Sequence, residues 1–226
     1  MPAGIALALT AGILIAVDVW RRRGPAQAQP VTSPLAAAVL VLIGAAAGLS
    51  RDELGFGGDV GTGAGYGAAC AGALALAYAV ALAVPRTRRG FADERHRLPA
   101  RRAVYTAAVA VPLATVIVEE VAFRGVLWGL LVRGHGPLAA TVISASLFGL
   151  WHVPSALDLA REHRAIRRPV PAVLATVLFT TLAGLVLAAL RHEGGNLLAP
   201  VVLHWAANGF GVLAAAWVWA YRPPDR

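Results

Sequence analysis

Residues 103–133 read AVYTAAVAVPLATVIVEEVAFRGVLWGLLVR, and the reading of this stretch decides the fold. It stays apolar for about 30 residues, some 45 Å as one straight α-helix, which is longer than a bilayer core needs. It lacks the period-two alternation of a barrel strand and is far too long to be one, so it predicts a membrane helix. Pro112 is a candidate kink that could divide it into two pieces, and an eighth span or a re-entrant break there would change the parity of every later span. Glu119, Glu120 and Arg124 interrupt its second half. Each such group costs on the order of 2.5–3.5 kcal/mol at mid-helix and persists only with a partner or a wet cavity.

Working outward, a ruler of about 20 mostly apolar residues marks six further segments, at roughly 3–20, 31–49, 65–84, 137–154, 170–190 and 196–221. The expected fold is an all-α polytopic membrane bundle of about seven, possibly eight, transmembrane helices, and residues 1–226 form a single integral membrane domain. Composition agrees. The chain has 226 residues, 58% of them hydrophobic and 14% charged, against about 25% charged in an ordinary soluble domain. The first segment has no basic residue before it and carries Asp18 and Trp20 where a cleavage site would need small residues, so it reads as a retained span. The Gly-rich stretch Gly57–Gly67 lacks the Lys-Ser/Thr ending of a phosphate loop and is expected to be a flexible external loop. The single cysteine, Cys70, excludes a disulfide framework and reads as a small packing residue.

All 20 basic residues are arginines set in short blocks between apolar runs, which leaves no basic face to track nucleic acid. Sixteen of them fall in the linkers after the first, third and fifth segments and in the tail, whereas Arg51, Arg133 and Arg191 fall on the other side. Arginine retention then places the N-terminus outside and the C-terminus in the cytoplasm. The alanine-rich, lysine-free composition points to a bacterial cell membrane.

The ionisable groups inside the spans cluster. Glu120 and Arg124 are spaced i,i+4 with the acid first, the favourable order for an intrahelical ion pair. Glu119 points about 100° away around the helix and has no basic residue within one turn, so it is left without a designated counter-ion and poised for proton transfer. His204 and Asn208, also i,i+4, share a face of the last segment, and His152 stands one turn beyond Phe148, before Pro154 ends the fifth segment. Counting from the turn near Gly134–Gly136, Glu119 lies about 14 residues before it and His152 about 15 after it, so antiparallel helices bring both to one level. Asp18 with Arg21 to Arg23, Glu94 with Arg97, Arg161 with Glu162, His163, His192 and Glu193 all read as solvated linker residues.

Glu119-Glu120-x-x-x-Arg124, Phe148-x-x-x-His152 and His204-x-x-x-Asn208 resemble, in order, the three motifs of the CPBP family of intramembrane proteases. That family includes type 2 CAAX prenyl proteases and bacteriocin-processing or self-immunity proteins. The likeness covers about 103–214, the expected catalytic core, and residues 1–100 share only their membrane character. The family's best-studied members are commonly described with eight spans. The resemblance implies an endopeptidase in which Glu119 and His152 activate a water while His204 and Asn208 stabilise the oxyanion, with Glu120–Arg124 as a structural ion pair.

The chemistry is consistent with those roles. Peptide hydrolysis without a nucleophilic side chain needs a base for water, an acid for the leaving amine and donors for the oxyanion. The expected partners are a peptide or protein tail at the membrane, a lipid bilayer and no nucleic acid, and the expected cofactor is none. Zinc on Glu119, His152 and His204 is the close competitor, although His-Glu-x-x-His is absent. A transporter or proton relay would use the same residue types, and a non-catalytic immunity protein is the third alternative.

Overall fold

The computed structural model describes residues 1–92, 97–162 and 169–221. Glu94, Arg95, His163, Arg164, Arg167, Arg168, Arg222 and Arg226, which belong to the linkers and tail described above, lie outside the described residues. Among the described residues all regular structure is helical. Six helical stretches are long and apolar enough to cross a membrane. The longest, Ala100–Arg161, turns at Gly136, whose φ of 75° and ψ of 169° lie outside the helical region. Divided there, the six stretches become seven apolar helical segments among the described residues, in rough agreement with the number hydropathy predicts. We label them, with one short helix, α1 (Ala3–Arg23), α2 (Gln29–Ala46), α3 (Val60–Ala83), α4 (100–135), α5 (137–151), α6 (Val153–Glu162), α7 (Pro169–Glu193) and α8 (Leu198–Tyr221).

Pro112 does not divide α4. On either side of it the helix adopts wider π turns, at Thr106–Ala110 and Pro112–Val116, with a third at Val121–Leu127. A π turn shifts bonding to i→i+5, so the chain keeps its direction past a residue that has no N–H to donate. One continuous pass therefore runs from Ala103, packed by Val212 and Ala216, to Arg133, bonded to the loop after α2.

The turn at Gly136 sets the depth of everything after it. Trp128 donates through Nε1 to Thr141 (3.2 Å), Ser144 Oγ donates to the Phe123 carbonyl (2.8 Å), Phe123 stacks edge-on against Phe148 (5.2 Å), and Trp151 reaches Glu119. These pairs mirror one another about the turn, so the equal depth of Glu119 and His152 anticipated by residue counting is the register of the hairpin. Pro154 does not simply end the helix. α5 stops at Trp151, His152 takes the cap position, and Pro154 falls in the first turn of α6, where a missing N–H costs nothing.

The Gly-rich stretch departs from its reading as a loop. Asp59 caps α3 by accepting from the amides of Gly61 and Thr62, so all of Gly61–Gly67 is helical. A Cβ at Gly63 would sit 2.2 Å from Oδ1 of Asn196, and one at Gly67 would sit 3.0 Å from Val202. These glycines let α3 lie against α8 and the turn before it, the small-residue contact by which membrane helices approach closely.

Polarity is inverted relative to a soluble protein. Along α7, Leu174, Leu178, Phe179 and Leu182 face outward, Phe179 with 71% of its surface exposed, whereas Glu119, Glu120 and Arg124 are at most 1% exposed. An apolar rim around a charged centre is stable where hydrocarbon replaces water. The chain is an integral membrane protein.

Candidate active site

The site is built on four helices. α4 supplies Glu119, Glu120 and Arg124, α5 supplies Phe148 and Trp151 with His152 at its cap, α8 supplies His204 and Asn208, and α1 brings Arg21. Each position follows from local structure. The π segment Val121–Leu127 begins directly after Glu120, and the Arg124 guanidinium still reaches back to Glu120, Nη1 to Oε1 at 3.0 Å. Both side chains are fully buried. Arg124 also donates to the Gly184 carbonyl (3.3 Å) and lies 4.1 Å from the centre of the Phe148 ring. The intrahelical pair expected from spacing is therefore present, and α5 and α7 enclose it.

Glu120 has a second partner. Its Oε1 accepts from Nδ1 of His204 at 2.7 Å, which fixes the imidazole and leaves Nε2 pointing away, 3.9 Å from Oε2 of Glu119. His152 is held in the same manner, its Nδ1–H donating to the Phe148 carbonyl at 2.8 Å, which leaves its Nε2 free. The Phe148 ring stands between the two imidazoles, 4.7 Å from His152 and 5.8 Å from His204, edge to face with both. Asn208, half-buried one turn along α8 from His204, has no hydrogen-bond partner among the described residues.

Glu119 departs from expectation. It is not left without a counter-ion: Arg21 Nη1 donates to its Oε1 at 2.6 Å, and Trp151 Nε1 donates to the same oxygen at 3.2 Å. Arg21 is further steadied by Thr115 Oγ1 at 3.4 Å. Oε2 has no hydrogen-bond partner among the described residues. The arginine triplet after the first span thus divides, Arg21 turning into the bundle while Arg22 pairs with Asp18 and lies 3.8 Å from Asp158 of α6. Local spacing could not locate Arg21, which is 98 residues from its partner. The one usable signal was the acid itself, because a carboxylate unpaired on its own helix requires a cation from another.

Of the other ionisable groups read as linker residues, Arg161 pairs with Asp158 (3.2 Å), and His192 and Glu193 are exposed at the end of α7. Among the described residues no three His, Cys, Asp or Glu side chains are grouped to hold a metal. Oε2 of Glu119 is without a hydrogen-bond partner among the described residues, and each histidine has Nδ1 bonded to an acceptor and Nε2 free, the way a metal-ligating imidazole is also oriented.

Residues 101–210 match the family model described as Rce1-like, type II CAAX prenyl endopeptidase Rce1-like. No curated protein and no solved structure matches the chain.

Proposed function

Residues 101–210 are an Rce1-like type II CAAX prenyl endopeptidase domain, and on that premise we propose that the chain hydrolyses a peptide bond of a membrane-associated peptide or protein tail without a metal. The observation that carries this reading is the approach of Glu119 Oε2 to Nε2 of His204 (3.9 Å) while His152 and His204 flank the one Phe148 ring, with one carboxylate oxygen and one nitrogen of each imidazole uncommitted.

In the proposed reaction Oε2 of Glu119, with Nε2 of His152, takes the proton of a water that attacks the scissile carbonyl. The same proton is then returned to the leaving amine. The oxyanion is received by Nε2–H of His204 and by the Asn208 amide. Because Nδ1 of His204 is bonded to Glu120, Nε2 can donate only when the ring carries both protons. Glu119 and Glu120 are balanced by Arg21 and Arg124, so a protonated His204 adds one positive charge where the negative oxyanion develops. Glu120–Arg124 holds the centre together and, through Nδ1, aims His204. The cavity is proposed to open to the cytoplasm, since Arg21 and Arg22 at the end of α1 and Asp158 of α6 border it on the arginine-rich side.

The test is a comparison of membrane proteomes and released peptides from cells carrying the wild-type protein and the Glu119→Gln variant at equal abundance. Peptides released only by the wild type are expected. Identical peptide sets would overturn the assignment of Glu119 as base.

A further inference from the structure

Arg21 lies outside the matched domain, on the helix farthest in sequence from the catalytic core, yet it makes the shortest contact to the proposed base, 2.6 Å. We infer that Arg21 is a positioning residue: with Trp151 it holds Oε1 of Glu119 so that Oε2 alone faces His204. This inference rests on the reading of Glu119 as the base.

The argument is geometric. A carboxylate base has two equivalent oxygens, and free rotation about its last torsion, a broad two-fold one, would present either of them at any angle. Here the two are made different. Oε1 accepts from Arg21 Nη1 and from Trp151 Nε1, donors on separate helices, whereas Oε2 accepts from none of the described residues and lies 3.9 Å from Nε2 of His204. That separation is too long for a direct hydrogen bond and short enough for one small molecule to bridge. The guanidinium is held as well, because its second nitrogen reaches Thr115 Oγ1 (3.4 Å) and Gln29 Nε2 donates to the Arg21 carbonyl at 3.1 Å. The planar fork of arginine can grip an oxygen and a hydroxyl at once, which a lysine ammonium does less well.

Other sources of this hold are excluded by what packs around Glu119. α2 carries no charged residue, α4 offers Arg124 already bonded to Glu120, α5 offers Trp151 and His152, and α8 offers His204. The cation for Oε1 comes from α1. The first helical hairpin, which the family match does not include, thus contributes a group to the centre. Arg21 is 29% exposed at its side chain, so it reaches from the arginine-rich face into the bundle.

The experiment follows Glu119-dependent peptide release over time in isolated membranes, with the full-length protein as wild type, Glu119→Gln, Arg21→Met, Arg21→Lys, Thr115→Val and Arg23→Met. Thermal unfolding of each variant is measured in parallel. Misplacing a catalytic group by about 1 Å can cost 10²-fold, so Arg21→Met is expected to slow release at least tenfold. Arg21→Lys is expected to restore part of the rate, Thr115→Val to lose about two- to fivefold, and Arg23→Met, on the exposed side of the triplet, to release at the wild-type rate. A packing role would not be rescued by lysine, which lacks the shape of the guanidinium and keeps only its charge. Should Arg21→Met fail to accumulate, Arg21→Lys and Thr115→Val carry the comparison, and full rates in both would overturn the inference. It is overturned equally by a wild-type rate in Arg21→Met while Glu119→Gln releases nothing. No Glu119-dependent peptide at all would instead overturn the reading on which the inference rests.

Discussion

At the scale of single residues, the two adjacent acids of α4 differ in what they hold. Glu120 bonds Arg124 and His204 with every partner buried. Removing one member of a buried ion pair leaves the other charge uncompensated, so Glu120→Gln is expected to lower stability by about 3–5 kcal/mol, measured by thermal or denaturant unfolding in detergent. Glu119→Gln removes a base but leaves Arg21 partly exposed, able to turn to solvent, so it should unfold nearly as the wild type does while release is lost. Equal destabilisation in both would remove the distinction. The oxyanion donors are tested by Asn208→Ala, expected to slow release by about 10²–10³ with the fold intact, and by exhaustive chelation, expected to leave the rate unchanged. Activity that disappears on chelation and returns with zinc would transfer the reaction to a metal-bound water. At this scale the sequence was a good guide to groups on one helix and a poor one to groups between helices. Glu120–Arg124 and the depth of His152 follow from residue counting along α4 and its hairpin. The Arg21–Glu119, Trp151–Glu119 and His204–Glu120 bonds depend on how helices turn about their axes, which spacing along the chain does not encode.

At the scale of elements, the approach of α3 to α8 rests on the absence of side chains. Gly63→Leu would place its Cβ 2.2 Å from Asn196, the residue that bonds the Asp59 carbonyl and the Leu198 amide. It is expected to lower the yield of folded protein and the unfolding temperature, whereas Gly65→Leu, with nothing within 4 Å of a Cβ, should be tolerated. The glycines read as a loop because glycine weakens helices in water. In a bundle without water the same residues are selected for contact, and only Asp59 at the N-cap marked where the helix begins. The loop between α2 and α3 is held differently, by Glu53 accepting from Arg133 (2.6 Å) and from the Ser50 amide (2.7 Å). Hydrogen bonds from the Arg133 guanidinium and the Ser50 amide hold the Glu53 carboxyl down at about 2, against an ordinary 4.5. A carboxyl lowered on folding stabilises above its ordinary value, and that stabilisation fades as pH falls from about 4.5 toward 2. Both side chains are at least a third exposed, so the effect is local and small. Protection of residues 48–56 against hydrogen exchange, taken relative to the intrinsic rate at each pH, is expected to fall across that interval, and Arg133→Gln should weaken that dependence.

At the scale of the whole molecule, the charge pattern predicts an orientation, with the N-terminus outside, that the packing makes open to test. Of the arginines on the sparse side, Arg133 is bonded to Glu53 and to the Gly48 carbonyl, and Arg191, 3% exposed, is bonded to the Asp52 and Glu53 carbonyls. Two of the three charges that oppose the arginine-rich side are thus tied into the protein surface, which sharpens the asymmetry that retains arginine in the cytoplasm. The turn at Gly136 reverses the chain between α4 and α5, and if each crosses the membrane the expected parity holds to α8. With Cys70 replaced by Ala, single cysteines at Asp52 and His192 are expected to react with an impermeant thiol reagent added outside intact cells. Cysteines at Arg23, Arg89 and Arg161 are expected to react only after the membrane is opened; all five positions are exposed in the structure. External labelling at Arg161 with none at Asp52 would reverse the molecule. The site, bordered by Arg21, Arg22 and Asp158, would then open to the outside, and the substrate would have to be sought among exported rather than cytoplasmic tails.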